Sequence, residues 1–157
     1  MQPIVSPIEL GHTESEIPPL LKKIPFIGKL LWSVTGPTKW RLYFLSIKKQ
    51  VEERGPVLPE VWPSPEQYEI AKKVEDILAE SCWEERLSFH PSDPYSIIGG
   101  FEAENLQTFG GLSDDEAIMS IEYFFKIQFP EDHKDFFEKN PTFADVVSFI
   151  EENTKTE

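Results

Sequence analysis

The chain has 157 residues, 39% hydrophobic and 13% aromatic, enough to bury a core and to argue against global disorder. A net charge of −13 argues against a nucleic-acid binder, because phosphate contacts need a basic surface. The single cysteine, Cys82, excludes an internal disulfide and any multi-cysteine metal site, and is read as a half-buried, inert thiol. Charge is uneven along the chain. Residues 1–55 hold eight Lys/Arg against five Asp/Glu, whereas residues 56–157 hold seven against twenty-three.

Residues 1–18 mix Pro, Ser, Thr and Glu without a period, which predicts an extended or mobile arm. The start, MQPIVSPIEL, lacks a basic region followed by a long apolar core, and no run reaches the roughly 18 apolar residues of a membrane span. A cytoplasmic location is the expectation. In PPLLKKIPFIGKLLWSVTG, residues 18–36, the side chains Leu20, Leu21, Ile24, Ile27, Leu30, Leu31 and Val34 fall at helical spacing. Pro25 and Gly28 must weaken or kink that helix. This basic amphipathic segment, with Trp32, either docks on protein, the favoured reading, or lies in a membrane interface.

Pro37 opens a helix of about 17 residues in which Trp40, Phe44, Ile47 and Val51 build one apolar stripe, ended by Gly55 and Pro56. Residues 1–55 are therefore read as an amphipathic helical extension and 56–64 as a proline-rich linker that Trp62 pins down. Residues 65–153 follow as a helical domain. Ser64, Pro65 and Gln67 predict a capping box, ahead of a helix burying Ile70, Val74, Ile77 and Leu78. The period is lost between Cys82 and Leu112, a long ordered loop with one short turn after Asp93. Ser113 to Glu116 is a second capping box, before the apolar face Ala117, Ile118, Ile121, Phe124 and Phe125. A short helix over 131–138 carries Phe136 and Phe137, and Thr142 with Asp145 starts a last helix that buries Phe143, Val146, Val147 and Ile150.

Long helix, long loop, helix, short helix, helix is the order of the acyl carrier proteins. SIEYFFKIQFP and NPTFADVVSFI resemble that family's acidic-aromatic helix end and the start of its last helix. The resemblance covers about 65–153 and implies an all-α, acyl-carrier-protein-like four-helix bundle. Its spacing puts the family's phosphopantetheine-bearing serine at Gly111, which has no nucleophile. Ser113, two residues on, is the alternative acceptor of a genuine carrier, but its spacing to Glu116 suits an N-cap better. No cofactor is therefore expected. By position in the family, Asp114, Asp115, Glu116 and Glu122 would form the face that docks a basic partner protein. The same acids also suit the positive end of a helix dipole.

Enzyme readings find little support. His12, His90 and His133 fall in no metal-ligand spacing, and His90 and Asp93 are read as ordering their own turn. The Gly-Gly pairs at 99–100 and 110–111 lack the strand, helix and lysine of a phosphate loop. The sequence thus reads as a non-catalytic interaction module, with a carrier or a peripheral membrane adaptor as alternatives.

Overall fold

A computed structural model of the chain describes residues 2–81, 83, 85–100, 114–130, 136–137 and 139–155. Among these residues the fold is all-α. Its helices are α1 (Pro19–Lys22), α2 (Pro25–Thr35), α3 (Lys39–Arg54), α4 (Pro65–Ser81), α5 (Tyr95–Ile98), α6 (Asp114–Phe125) and α7 (Phe143–Thr154). The only β pairing among them is an isolated bridge between Pro94 and Thr142. Cys82, Gly111, Ser113 and residues 131–135 lie outside the described residues, and with them the second capping box and most of the expected short helix.

The N-terminal arm is docked against α3. Ile4 is buried, and the Gln50 amide pairs with the Val5 backbone in both directions, accepting from its N–H at 2.8 Å and donating to its carbonyl at 3.0 Å. Further along the arm, the His12 ring meets the Ser46 hydroxyl at 3.0 Å. A run of prolines, serines and threonines carries no period, and these long-range partners hold it together with the turn bonds Leu10 N–H to Ser6, Gly11 N–H to Ile8 and His12 N–H to Pro7 carbonyls.

The expected kink in the next segment is a full break. α1 stops at Lys22, and Pro25 begins α2 in the first turn, where a missing N–H costs nothing. Gly28 then lets α2 close onto α1: a Cβ there would lie 1.9 Å from the Leu21 carbonyl oxygen.

α3 runs 16 residues, capped by the Thr38 hydroxyl, which accepts from the Arg41 N–H at 3.1 Å. Its apolar stripe packs on the rest of the chain: Phe44, Ile47 and Val51 are buried, together with Tyr43, in one cluster with Val74, Leu78, Ile121 and Ile150. The stripe is thus covered by the chain's own core. The loop after α4 reaches back to meet it. Trp83 stacks on Trp40 and Tyr43 at 5.6 and 6.4 Å between ring centres and donates from Nε1 to the Ile98 carbonyl at 2.9 Å. Tyr43 donates its hydroxyl to the Ile97 carbonyl at 3.3 Å.

One buried carboxylate joins four parts of the chain. Asp93 Oδ1 accepts from Arg54 Nη1 at 2.7 Å and from the Ile4 N–H at 3.0 Å, and Oδ2 accepts from the His90 N–H at 2.7 Å. The Asp93 carbonyl accepts from the Phe143 N–H at 2.8 Å. Arg54 Nη2 adds the Ser88 carbonyl at 3.2 Å.

Helices α4, α6 and α7 form the bundle proper, with α4 packed against both of the others. The Ser64 hydroxyl caps α4 by accepting from the Gln67 N–H at 3.1 Å. The reciprocal half of that box is absent: Gln67 Nε2 donates to Glu151 and Ser148 on α7, and Oε1, the acceptor the box would use, has no partner among the described residues. Thr142 and Asp145 form a complete box on α7. α6 closes through Lys126 in the left-handed region (φ 54°), whose neighbour Ile127 returns its N–H to the Glu122 carbonyl. Trp62 is buried edge-on against Phe143, 5.4 Å between ring centres, as the pinning role requires.

Glu75 is buried on α4, accepting from the Phe89 N–H, the Ser88 hydroxyl and Arg86. Burial pushes its carboxyl above the ordinary glutamate value, against these hydrogen bonds and the Arg86 charge, which pull it down.

The buried charges and the α7 cap can each be tested by substitution. Asp93→Ala leaves Arg54 buried without its counter-ion and lowers the unfolding free energy by about 3–5 kcal/mol. Removing the α7 cap by Thr142→Ala costs about 1 kcal/mol, both read by urea denaturation. Glu75 binds its proton more tightly folded than unfolded, so its contribution to stability falls as pH rises through the folded pKa. The wild-type chain therefore gains stability relative to Glu75→Gln as pH drops from neutral towards the ordinary glutamate range. A difference in urea midpoint that stays flat with pH would refute this.

Candidate functional site

α6 places its residues about 100° apart, so one side faces the core and the other is left over. Ala117, Ile118 and Ile121 are buried against the bundle. The opposite side carries Met119 and Tyr123, 65% and 88% exposed, and Phe124, 54% exposed, stands between that side and the buried face. Isolated exposed hydrophobics are ordinary on a protein surface, but three within one and a half turns make a patch.

This patch borders an open groove of about 450 Å³ between α4 and α6. α6 lines it with Glu116, Met119, Ser120, Tyr123 and Phe124, and α4 with Ile77, Glu80 and Ser81. Glu80 and Glu116 are exposed, so the apolar floor has carboxylates at its rim. The Lys73 ammonium stands 6.0 Å from the centre of the Phe124 ring, a cation–π contact at the groove's edge.

The expected acidic face is thus partly regrouped. Glu116 is on the groove. Glu122 lies about 120° further round the helix and is half-buried, with Oε1 accepting from the Phe129 N–H at 2.8 Å. That bond orders the chain leaving α6. Asp114 and Asp115 stand in the first turn of α6, with side chains outside the described residues. Phe124, expected in the core, is a correction: it sits about 75° from the centre of the buried face, at the edge of the stripe, and opens to the groove. Glu80, Met119 and Tyr123 were missed because their positions break no rule of helix patterning.

A second groove, of about 410 Å³, runs along α7 between Phe136, Asn140, Asp145, Phe149 and Glu152. Its polar groups already have internal work. Asp145 completes the α7 capping box, and the Asn140 amide oxygen accepts from the Ser96 hydroxyl at 2.9 Å.

Both buried carboxylates, Glu75 and Asp93, are held by internal donors. The His90 ring meets the Ser92 hydroxyl at 2.7 Å while the His90 backbone N–H is held by Asp93, the ordered turn expected from sequence. Burial, its largest influence, lowers the His90 pKa from the ordinary histidine value. Among the described residues no three His, Cys, Asp or Glu side chains converge as metal ligands would. None of the helices there is long and apolar enough to cross a membrane. Comparison with protein-family models, curated proteins and solved structures finds no match to this chain.

Proposed function

We propose that this chain is a non-catalytic, cytoplasmic docking module on a degenerate acyl-carrier-like bundle, and that the α4–α6 groove receives a basic, apolar segment of a partner protein. The observation that carries this reading is the pairing of Met119, Tyr123 and Phe124 with the rim carboxylates Glu80 and Glu116. Apolar anchors supply affinity once water is expelled, while charges around them select the partner and speed encounter. The surrounding charge agrees: residues 56–157 carry a net −16. The order α4, loop, α6, α7 supports the carrier-like reading. Gly111 in the serine's expected place supports binding without a prosthetic arm.

The test places a photo-cross-linking phenylalanine analogue at Tyr123 of the full chain, expressed in its source cells. One dominant adduct to a protein with a Lys/Arg-rich apolar segment is expected. Met119→Ser then lowers the affinity of the purified pair by about tenfold or more, and Glu80→Lys with Glu116→Lys slows association. Adducts indifferent to all three substitutions overturn the groove. A phosphopantetheine mass on the native protein overturns the loss of carrier chemistry.

A further inference from the structure

We infer that the α1–α2 arm is an interfacial anchor that lays this protein on an anionic lipid surface. The inference stands apart from the α4–α6 groove and survives if that reading fails.

The arm is a built element. Gly28 is closed against the Leu21 carbonyl, and Trp32 donates from Nε1 to the Ser15 hydroxyl at 3.0 Å. These two residues set which side of α2 faces its own chain. At about 100° per residue, Phe26, Ile27, Leu30 and Leu31 share an arc of roughly 140° centred on the far side. All four are exposed, Phe26 by 83%. Leu20 and Ile24, from α1 and the turn, are exposed as well.

Charge decides what can cover it. Between Glu16 and Glu52 the sequence holds seven Lys/Arg and no Asp or Glu, in a chain of net −13. Lys22, Lys23 and Lys29 belong to the arm and are exposed, and among the described residues no ion pair engages them. An apolar arc with lysines at its flank is the composition of a helix that lies in a headgroup layer. Such a surface must be anionic to attract these lysines, and it then repels the acidic remainder of the chain. That repulsion orients the molecule, arm down and bundle away. At 11 residues α2 is too short to cross a bilayer and lies on it.

The probe is vesicles of phosphatidylcholine, with and without phosphatidylserine, mixed with the full-length protein and sedimented. Binding to the phosphatidylserine vesicles, weakened by salt and weak on phosphatidylcholine alone, is expected. Replacing Lys22, Lys23 and Lys29 by Gln should cut partitioning by about fivefold per lysine. Phe26→Ser with Leu30→Ser should remove it, with the thermal unfolding midpoint unchanged because both side chains are already in water. No sedimentation with anionic vesicles overturns the anchor, as does binding that ignores these substitutions. Self-association through the arm, seen by sedimentation velocity without vesicle binding, also overturns it and makes a second copy the occupant.

Discussion

The fold hangs on one buried ion pair. Asp93 and Arg54 are 39 residues apart, and their contact closes the end of α3 onto the loop that precedes α5. The other Asp93 oxygen, its shared Oδ1 and its backbone carbonyl collect His90, Ile4 and Phe143. Taking two charges out of water is costly, and a well-packed apolar pair in their place is often as stable or more so. Its value here is therefore specification. An aspartate whose carboxylate takes three donors and whose carbonyl takes a fourth accepts one arrangement of the N-terminal arm, α3, the loop and the start of α7, where an apolar contact would tolerate several. Arg54 Nε has no acceptor among the described residues, so the node is satisfied at its forked end and not at its stem.

With that node in place, the aromatic packing has a fixed frame. Trp40, Tyr43, Phe44 and Phe89 surround Trp83, and the Trp83 and Tyr43 polar atoms end on adjacent carbonyls, Ile98 and Ile97. Each ring thereby buries its apolar body without stranding its donor. A second group, Phe129, Phe136, Phe137 and Phe149, closes the other part of the bundle. α4 packs against both α6 and α7, and so the groove beside α6 has a rigid wall.

What the sequence discloses tracks how local each cause is. Ser64 and the Thr142–Asp145 box are readable because a cap acts within about four residues. Pro25 and Gly28 announce a kink for the same reason, though not that it is a full break. The docking of the first residues on α3, the Trp83 stack and the Asp93 node are decided by partners 34 to 89 residues away, and such contacts leave no period. The candidate groove was half legible. Glu116 stood out as an acid on a confident helix, but the groove also needs Glu80 and Ile77 from α4, and no helix pattern says which side of one helix meets another. Phe124 was misplaced because periodicity finds the centre of a buried stripe more sharply than its edge.

Two apolar surfaces left in water would ordinarily invite aggregation, and the chain's charge bears on this twice. A net −13 makes copies repel one another at long range, so exposed side chains such as Phe26 and Tyr123 need not bring copies together. At short range the flanks differ in sign: carboxylates Glu80 and Glu116 border the groove, and Lys22, Lys23 and Lys29 accompany the arm. Apolar contact alone discriminates poorly, whereas a like-charge flank penalises the wrong occupant before any water is displaced. An anionic lipid surface is thereby turned away from the groove and a basic peptide from the arm. On the readings proposed for each, the two surfaces divide the work. The arm confines the protein to a membrane plane, which raises the local concentration of any partner held there, and the groove then needs only modest intrinsic affinity to stay occupied.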